Sequence, residues 1–491
     1  MVEAELAFRL SDNINSKTIS DPWALVDRIA PSLELPYSSI SNISKHGLCC
    51  LVADCCASGG LIVGKSFPIN RKTKHLSETM EVEIHQNKKL VSSGSVKNMF
   101  KKPIDVIHDF INKARENNFT ITPGQWVASG GLTSCKPIST DEGVNVDFIN
   151  LESGYFSPSP ESVKDYWINY VEEINESPSY YMRTKQTQMR EKVRETLASY
   201  SGVSSEEICL TRNTTESMNI IIQGLKIGDN DEILRTNLEY PNIIQALDMR
   251  EKRYGTKIRV VDVPIHPQDQ NEIVEKVIEA VNDKTKVLLI SHMVFLNGQV
   301  FPVKEVCAKA KEMGLLTIVD GAHSFSHVDM DISEIGCDFY ASSLHKWLGA
   351  PLGNGLLYVR KGMVEKLWPL YGDTQYEEDN IMKLEHLGTR PCSDQNGIIP
   401  AVEFNLKIGK KNKSKRLKFL QMRWADVLKD HENIIINTPL GEGQSFGIAN
   451  VGIKNIKPGN LADRLFDEHN IFTVPIDDDR GIRGLRVSPN L

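Results

Sequence analysis

The stretch Ser342-Ser343-Leu344-His345-Lys346-Trp347-Leu348-Gly349 places a lysine shortly after an apolar segment, residues 339–342, that has the length of a buried strand. Upstream, a second apolar segment at 315–319 ends in Asp320-Gly321-Ala322-His323. The sequence therefore predicts a lysine that follows one buried strand and an acid that ends another.

A lysine and an aspartate in these positions are what the chemistry of pyridoxal 5'-phosphate (PLP) requires. The lysine amine forms an imine with the cofactor aldehyde, and the aspartate keeps a proton on the pyridine nitrogen, so that the ring accepts electrons. Lys346 and Asp320 thus predict an enzyme that acts on an amino acid. Taken alone, Asp320 could equally be the N-cap of a helix.

A phosphate site is predicted at Thr211-Arg212-Asn213-Thr214-Thr215-Glu216, just before a helical segment at 217–225. Hydroxyl groups and free N–H groups at the start of a helix bind anions, although the same pattern also fits an ordinary capping box. Ser343 and His345, on either side of Leu344, are further candidate phosphate donors.

Tyr240 and His323 are the candidates for a ring that stacks on the cofactor. Either side chain could instead be a packed core residue.

The order of segments after residue 146 indicates the fold. Apolar strands are predicted at 287–291, 315–319 and 339–342, and a helix at 303–313 lies between the first two. Such alternation is typical of an α/β domain with a mostly parallel sheet that is covered on both faces.

Residues 1–140 follow a different pattern, which predicts a β-rich domain with one helix. Apolar and polar residues alternate at 2–8 and again at 80–84. The helix is expected after Pro103, with Ile104, Ile107, Ile111 and Ala114 on one face. Residues 141–145 are the predicted linker.

Composition limits the function classes. The 491 residues are 40% hydrophobic and 25% charged, and the formal net charge is −7, which argues against a nucleic-acid partner. No apolar run reaches the roughly 20 residues that cross a membrane. The acidic N-terminus does not resemble a signal peptide, so we expect a cytoplasmic protein.

The nine cysteines are odd in number and scattered, which is typical of a reducing compartment. Cys49, Cys50, Cys55 and Cys56 lack the usual spacing of zinc ligands and are expected to be small buried side chains.

Residues 146–491 resemble the class V group of fold-type I PLP enzymes, nearest the isopenicillin N epimerase and cysteine desulfurase branch. The matching stretches are Val146-Asp147-Phe148-Ile149-Asn150-Leu151 with Gly154, Arg212-Asn213-Thr214-Thr215-Glu216, Asp320-Gly321-Ala322-His323, Leu344-His345-Lys346-Trp347 with Gly349, Pro351 and Gly353, Gly388-Thr389-Arg390, and Leu485-Arg486-Val487-Ser488-Pro489. The resemblance implies a three-layer α/β domain, a small C-terminal subdomain and a homodimer.

The resemblance also implies roles for the site residues. Lys346 is the imine lysine and general acid/base, Asp320 pairs with the pyridinium, and His323 lies by the ring. The implied phosphate ligands are Thr214, Thr215, Ser343 and His345, with Thr389 reaching the phosphate of a neighbouring subunit. The implied substrate-binding residues are Arg486, as a bidentate clamp for the α-carboxylate, and Arg390. Alone, Arg486 could be a surface ion pair.

Two departures from this family bear on the reaction. Cysteine desulfurases carry a persulfide-forming cysteine in the loop before the final arginine, and here that loop, 475–480, contains none. Cys392 lies in a different loop, so persulfide transfer is disfavoured. The family also continues past the last motif, so we expect the C-terminus to be incomplete.

Residues 1–140 resemble the fumarylacetoacetate hydrolase superfamily, closest to 2-keto-4-pentenoate hydratases. The matches are Val2-Glu3-Ala4-Glu5-Leu6-Ala7-Phe8, Ser32-Leu33-Glu34-Leu35, Val52-Ala53-Asp54 with Ala57-Ser58-Gly59-Gly60, and Gly124-Gln125-Trp126-Val127 leading to Ser129-Gly130-Gly131-Leu132-Thr133. The resemblance implies that Glu3, Glu5 and Glu34 bind Mg²⁺ or Mn²⁺, which holds a 2-oxo acid.

The alternative for the alternating acids is a solvated strand face. The family's N-terminal segment is missing here, Cys55 replaces a usual asparagine and Gly131 a common serine, so the predicted domain is truncated.

These observations predict a fusion of a PLP domain, with aminotransferase or carbon–sulfur lyase chemistry on an amino acid, and a metal domain that handles a 2-oxo acid. The enzymatic alternative is a racemase or epimerase. The non-enzymatic alternative for residues 1–140 is a dimerisation or interaction module.

Overall fold

The computed structural model describes residues 3–15, 21–35, 60–86, 89–117, 119–133, 148–372 and 375–490. The chain divides into two compact units, Met1–Asn145 and Val146–Leu491. The predicted linker at 141–145 and the predicted cysteine cluster lie outside the described residues. No helix among the described residues is long and apolar enough to cross a membrane.

The first unit is rich in strands, as predicted. Its strands are β1 Glu3–Leu10, β2 Val26–Leu35, β3 Gly60–Val63, β4 Phe67–Pro68, β5 Glu81–Gln86, β6 Lys89–Ser95 and β7 Trp126–Ala128, and its helices are α1 Arg71–Thr79 and α2 Pro103–Glu116. The antiparallel sheet has the order β3-β2-β1-β7, with β4 also paired to β2, while β5 and β6 form a separate hairpin.

The predicted helix after Pro103 is confirmed, since α2 buries Ile104, Ile107, Ile111 and Ala114. Its isoleucines pack in one core with Leu6, Phe8 and Leu10, alternate residues of β1. Apolar side chains that recur every second residue on β1 therefore pack against apolar side chains that recur every three or four residues on α2, as expected for a helix lying on a sheet. Helix α1 was not predicted, so this unit has two α-helices among its described residues.

The second unit contains most of the helices. Its first half comprises β8 Ile149–Asn150, α3 Glu161–Glu176, α4 Pro178–Thr184, α5 Gln186–Ser201, β9 Ile208–Thr211, α6 Thr214–Gly224, β10 Glu232–Thr236, α7 Pro241–Tyr254, β11 Lys257–Val261 and α8 Gln270–Glu279. Its second half comprises β12 Thr285–Ser291, α9 Val303–Glu312, β13 Leu316–Asp320, α10 Ile332–Ile335, β14 Phe339–Ser343, β15 Gly355–Val359, α11 Ser393–Asn396, α12 Ile398–Ile408, α13 Lys410–Leu428, β16 Ile434–Ile436, β17 Ala449–Ile453, α14 Pro458–His469, β18 Ile471–Phe472, β19 Val474–Asp477 and β20 Arg483–Val487.

The mostly parallel sheet predicted for this unit is present. Seven strands follow the order β11-β10-β12-β13-β14-β15-β9. The pairs from β11 to β14 are parallel, and β15 is antiparallel to both of its neighbours. Adjacent positions of β12 and β13 point to opposite faces, so that Leu288 and Val319 enter one core and Val287 and Ile318 another. Helices therefore cover both faces, which makes three layers.

A smaller four-stranded sheet with the order β16-β17-β20-β19 forms the predicted C-terminal subdomain. The start of the unit is tied to its end, because β8 pairs in parallel with β18 and Glu152 bridges to Ser488. This pairing places the segment after β8 beside Arg486 on β20.

Candidate active site

A cavity of about 340 Å³ lies at the carboxyl ends of the parallel strands of the second unit. Asp320 is the last residue of β13 and is paired with Ser291 of β12 and Ala341 of β14. Lys346 follows β14 by three residues, so both side chains emerge at the carboxyl edge of neighbouring parallel strands. The residues that line the cavity are Tyr155, Phe156, Asn213, Thr214, Thr215, Tyr240, Ile243, Ser291, Met293, Phe295, Asp320, Ala322, His323, Ser343, His345, Lys346, Leu352 and Gly353.

Lys346, Asp320 and His323 come together as predicted. The Nζ atom of Lys346 lies 3.2 Å from Nε2 of His323. Asp320 is buried, and its Oδ1 atom accepts a hydrogen bond of 2.9 Å from the Ala322 N–H. The turn from Asp320 to Ala322 requires glycine at position 321, because a Cβ atom there would lie 1.9 Å from the ring of Tyr340.

Burial changes the pKa values of these groups. It lowers the pKa of Lys346 to about 8, against the opposing attraction of Asp320. Burial also raises the pKa of Asp320. It lowers the pKa of His323 well below its usual range, and the positive charge of Lys346 lowers it further. At neutral pH the site therefore holds a neutral imidazole and a lysine that loses its proton easily.

Hydroxyl and N–H groups lie together at the start of α6, where the sequence predicts a phosphate cradle. The Thr214 N–H donates to Oγ of Ser343 at 2.9 Å, and the two hydroxyl oxygens lie 2.8 Å apart. The side chain of Asn213 caps the helix by accepting from the Glu216 N–H at 2.9 Å. Thr215 also lines the cavity. Asn213 thus caps the helix, while Thr214 and Thr215 of the same helix end line the cavity, where Thr214 is hydrogen-bonded to Ser343.

Aromatic rings close the cavity, and the two candidate stacking residues both line it. Tyr240 makes an edge contact with Phe295 at 5.0 Å between ring centroids. Tyr155, which the sequence did not single out, lies under Lys346, with Nζ 5.6 Å from its ring centroid.

The predicted role of Arg486 in substrate binding stays a prediction, and the structure gives this side chain a partner within the protein. It is fully buried and does not belong to the cavity wall. Its Nε and Nη2 atoms donate to the two carboxylate oxygens of Glu152 at 2.9 and 2.7 Å. The bidentate position expected for a substrate α-carboxylate is therefore taken by an acid of the protein itself, which the sequence analysis had quoted around Gly154 without assigning Glu152 a role.

Arg390 is also outside the cavity wall. Its Nη2 atom donates to Glu385 at 2.7 Å, and its predicted contact with substrate stays a prediction. Thr389 is exposed and does not line the cavity of its own chain. Its predicted contact with a neighbouring subunit stays a prediction.

Comparisons with known proteins agree with this geometry. The family described as aminotransferase class-V matches residues 151–474, about two thirds of the chain. The chain belongs to the class-V aminotransferase family. It is therefore a PLP-dependent enzyme, and its α/β domain has the predicted fold type I.

Among its relatives, an isopenicillin N epimerase of Streptomyces clavuligerus is 28% identical over 277 residues, covering 53% of this chain and 70% of that protein. A probable cysteine desulfurase of Methanothermobacter thermautotrophicus is 28% identical over 340 residues, covering 66% and 82%. A solved structure, a lysine-to-alanine variant with glycine covalently linked to PLP, covers 70% of this chain and 92% of that chain, with a TM-score of 0.62 and 20% identity.

The residues of this class-V site fit PLP. Nδ1 of His323 and Nδ1 of His345 are buried without a hydrogen-bond partner among the described residues, which leaves two polar atoms for a ligand. Thr214, Thr215 and Ser343 would hold the phosphate, Asp320 the pyridine nitrogen and Lys346 the aldehyde. When bound, the cofactor supplies an electron sink for the bonds of the substrate's α-carbon. Lys346 then moves protons at Nζ, beside a neutral His323 that can accept or donate a hydrogen bond.

In the first unit, the three predicted metal ligands also come together. Glu3 of β1 pairs with Glu34 of β2, and Glu5 points to the same face as Glu3. Single carboxylate oxygens of the three lie within 4.8 Å of one another. Burial and the nearby Glu34 raise the pKa of Glu5 to about 8. A Cβ atom at Gly131 would lie 2.7 Å from Oε2 of Glu3, so a serine there would press on the cluster.

Proposed function

We propose that this class-V enzyme acts on an amino-acid-type substrate, as an aminotransferase or a carbon–sulfur lyase. The observation that carries the proposal is Lys346, whose amine has a lowered pKa and lies 3.2 Å from a buried imidazole in the same cavity as Asp320. The similarity to a cysteine desulfurase supports chemistry beyond the α-carbon.

The cysteines among the described residues are poorly placed to store a persulfide at this site. Cys209, Cys307, Cys337 and Cys392 are buried, and none of them lines the cavity. Burial raises the pKa of the Cys392 thiol, which weakens it as a nucleophile. These four cysteines therefore do not support a persulfide on the described part of the chain, and we propose that lyase chemistry releases the sulfur product directly.

The experiment is a comparison of wild-type and Lys346→Ala protein with PLP. We expect a yellow wild-type protein with a visible absorption band, and no such band in the variant. The loaded enzyme is then incubated with an amino-acid panel while 2-oxo acid, sulfide and α-deuterium exchange are measured in parallel. A wild-type protein that takes up no PLP would contradict the proposal.

A second candidate is racemisation or epimerisation, which the similarity to isopenicillin N epimerase favours. It predicts α-deuterium exchange and loss of stereochemical purity without 2-oxo acid or sulfide. The same panel, analysed by chiral chromatography, separates the two candidates.

For the first unit, we propose that Glu3, Glu5 and Glu34 bind Mg²⁺ or Mn²⁺ and that the metal handles a 2-oxo acid. Three carboxylate oxygens within 4.8 Å suit a hard cation. Titration of the full chain with Mn²⁺, followed by electron paramagnetic resonance, should show binding that Glu34→Gln removes and that a change at the exposed Glu81 does not. Equal Mn²⁺ binding by wild type and Glu34→Gln would contradict the metal site and favour the alternative that residues 1–140 are a noncatalytic dimerisation or interaction module.

We also propose a cytoplasmic homodimer. Phe156 and Leu352 are large apolar side chains on the cavity wall, and they are 66% and 62% exposed. Thr389, which the family resemblance assigns to the phosphate of a neighbouring subunit, is also exposed. A neighbouring subunit that covers them would complete the site. Sedimentation of the full chain should give the dimer mass, and a monomer at micromolar concentration would contradict the proposal.

A further inference from the structure

The carboxylate of Glu152 has the geometry of a bound ligand on Arg486. The two groups form a bidentate pair, with donor distances of 2.9 and 2.7 Å. The Arg486 side chain is fully buried and that of Glu152 is 5% exposed. A planar guanidinium binds a substrate carboxylate in this same manner, so Glu152 imitates a substrate group.

Every oxygen of this carboxylate has a second donor. Oε1 also accepts from the Tyr155 N–H at 3.1 Å, and Oε2 from the Ser488 hydroxyl at 2.9 Å. A Cβ atom at Gly154 would lie 3.0 Å from Oε1 of Glu152 and from Oγ of Ser488, so the glycine leaves room for this arrangement. The Glu152 carboxylate would gain no additional hydrogen bonds by turning towards solvent. Its departure would also leave the buried Arg486 without its charge partner, which is strongly destabilising.

The backbone fixes Glu152 on both sides. The Ser153 N–H donates to the carbonyl of Ser488 at 2.8 Å, and the Ser488 N–H donates to the carbonyl of Leu151 at 2.8 Å. Arg486 lies two residues from Ser488 on the same chain segment. The main chain at Glu152 is therefore held in place, and a ligand that displaces its carboxylate has to break the ion pair and the hydrogen bonds from Tyr155 and Ser488.

Arg486 is also screened from the cavity. Its guanidinium carbon lies 4.0 Å from the ring centroid of Tyr155, and Tyr155 lines the cavity while Arg486 does not. Among the described residues no arginine belongs to the wall, and the basic groups there are Lys346, His323 and His345. Burial lowers the pKa of both histidines below the neutral range, so they carry no charge to hold a carboxylate.

We propose that Glu152 is a specificity-determining residue that keeps a substrate carboxylate off Arg486. The cavity then favours amino-acid derivatives whose α-carboxylate is masked or missing, such as amides, esters or the corresponding amines. This inference rests on the proposed PLP chemistry at Lys346 and narrows its substrate class.

The test is a spectral titration of the PLP-loaded protein with matched pairs, L-alanine, L-methionine and L-phenylalanine against their amides. A charge-assisted contact contributes roughly 1.5–3 kcal/mol, or about ten- to a hundredfold in Kd. We expect wild type to bind at least one amide about tenfold more tightly than its acid, and Glu152→Gln to shift this ratio about tenfold towards the acid.

Asp338→Asn is the matched control. Asp338 is a buried carboxylate with the same kinds of partner, an arginine (Arg360 Nε at 2.9 Å), a backbone N–H and a hydroxyl (both of Thr317). It precedes β14, at the end of the strand away from Lys346. We expect this variant to lose stability without a change in the ratio of acid to amide.

A second readout needs no cofactor. Glu152 offsets the effect of Arg486 on Lys346, so Glu152→Gln should lower the pKa of Lys346, measured by competitive acetylation of the cofactor-free protein and mass spectrometry.

The outcomes are distinguishable. Wild type that binds each acid as tightly as its amide, or a Glu152→Gln variant whose ratio stays within about twofold of wild type, would overturn the specificity role. If Glu152→Gln does not fold, the wild-type ratio alone decides. Failure to take up PLP, or no spectral response to any acid or amide, would instead contradict the proposed function.

Discussion

The reactivity of Lys346 should depend on pH in a way that its surroundings define. Its pKa is lowered to about 8, chiefly because the amine is enclosed by protein. At pH 7 such a lysine is uncharged in about one molecule in ten, whereas a lysine with the ordinary pKa of about 10.4 is uncharged in fewer than about one in a thousand. Only the uncharged amine attacks an aldehyde.

The assay follows the rate at which cofactor-free protein captures PLP, from the growth of the visible band. The rate should rise about fivefold between pH 7 and 8 and level off above about pH 9. Competitive acetylation of Lys346, with exposed lysines of the same chain as internal reference, gives the pKa without the cofactor. A midpoint at or above pH 10 would refute the reasoning, because burial would then have no effect on the amine.

Asp320→Asn sharpens the test. Asp320 is the main group that opposes the effect of burial by favouring the charged amine. Its removal should therefore lower the midpoint further. An unchanged midpoint would show that Asp320 is itself protonated in the cofactor-free protein.

The lowered pKa also affects folding. Between about pH 8 and 10.5 the native protein binds fewer protons at Lys346 than the unfolded chain, so this group makes stability rise with pH over that range. Cofactor-free Lys346→Met should be more stable than wild type below pH 8, and the difference should vanish above about pH 10.5.

Two packing predictions can be checked by thermal unfolding of the full chain. Gly321→Ala should cost about 1–3 kcal/mol or more, because the new Cβ would meet the buried ring of Tyr340 at 1.9 Å, while Gly459→Ala, with open space around it, should be neutral or slightly stabilising; equal losses would contradict the first. Ile111→Ala should cost about 2–5 kcal/mol, because Ile111 is fully buried under the first sheet. Its neighbour Phe110 is 43% exposed, and its replacement by alanine should cost much less.

Much of the second unit could be predicted because its apolar spacing is regular. Strands at 287–291, 315–319 and 339–342 became β12, β13 and β14, each within two residues of the expected ends. Once these strands are parallel neighbours, the residues that follow them must meet at one edge, which brings Asp320 and Lys346 together.

Helix α1 shows where apolar periodicity fails. Its sequence, Arg71–Thr79, contains a single leucine, and its buried residues are Thr73 and Ser77. The signal that was available is its N-terminus, where Asn70 and Thr73 form a reciprocal capping box. This box uses threonine in place of the usual glutamate or glutamine at its third position, so the expected pattern did not identify it.

Ion pairs between distant residues were the other gap. Glu152 and Arg486 are 334 positions apart, and Glu385 and Arg194 are 191 apart. Neither spacing nor composition specifies such a partner, because each depends on how the two ends of a unit are brought together. A family motif identified Arg486 as a substrate clamp, but the acid that neutralises it can be recognised only after the strands have paired.

Pairing of arginines with carboxylates of the protein is not limited to Arg486, and it bears on how an anionic cofactor can be held in the cavity. Several arginines of the second unit have an internal carboxylate partner, namely Arg212–Glu216, Arg390–Glu385, Arg480–Asp478 and Arg486–Glu152, and no described arginine lines the cavity. A phosphate at the start of α6 would then be held mainly by neutral donors, such as the hydroxyls of Thr214, Thr215 and Ser343, all of which line the cavity. Neutral donors bind phosphate without attracting a substrate carboxylate over long distances, so among the described residues of the cavity wall the positive charge is that of Lys346.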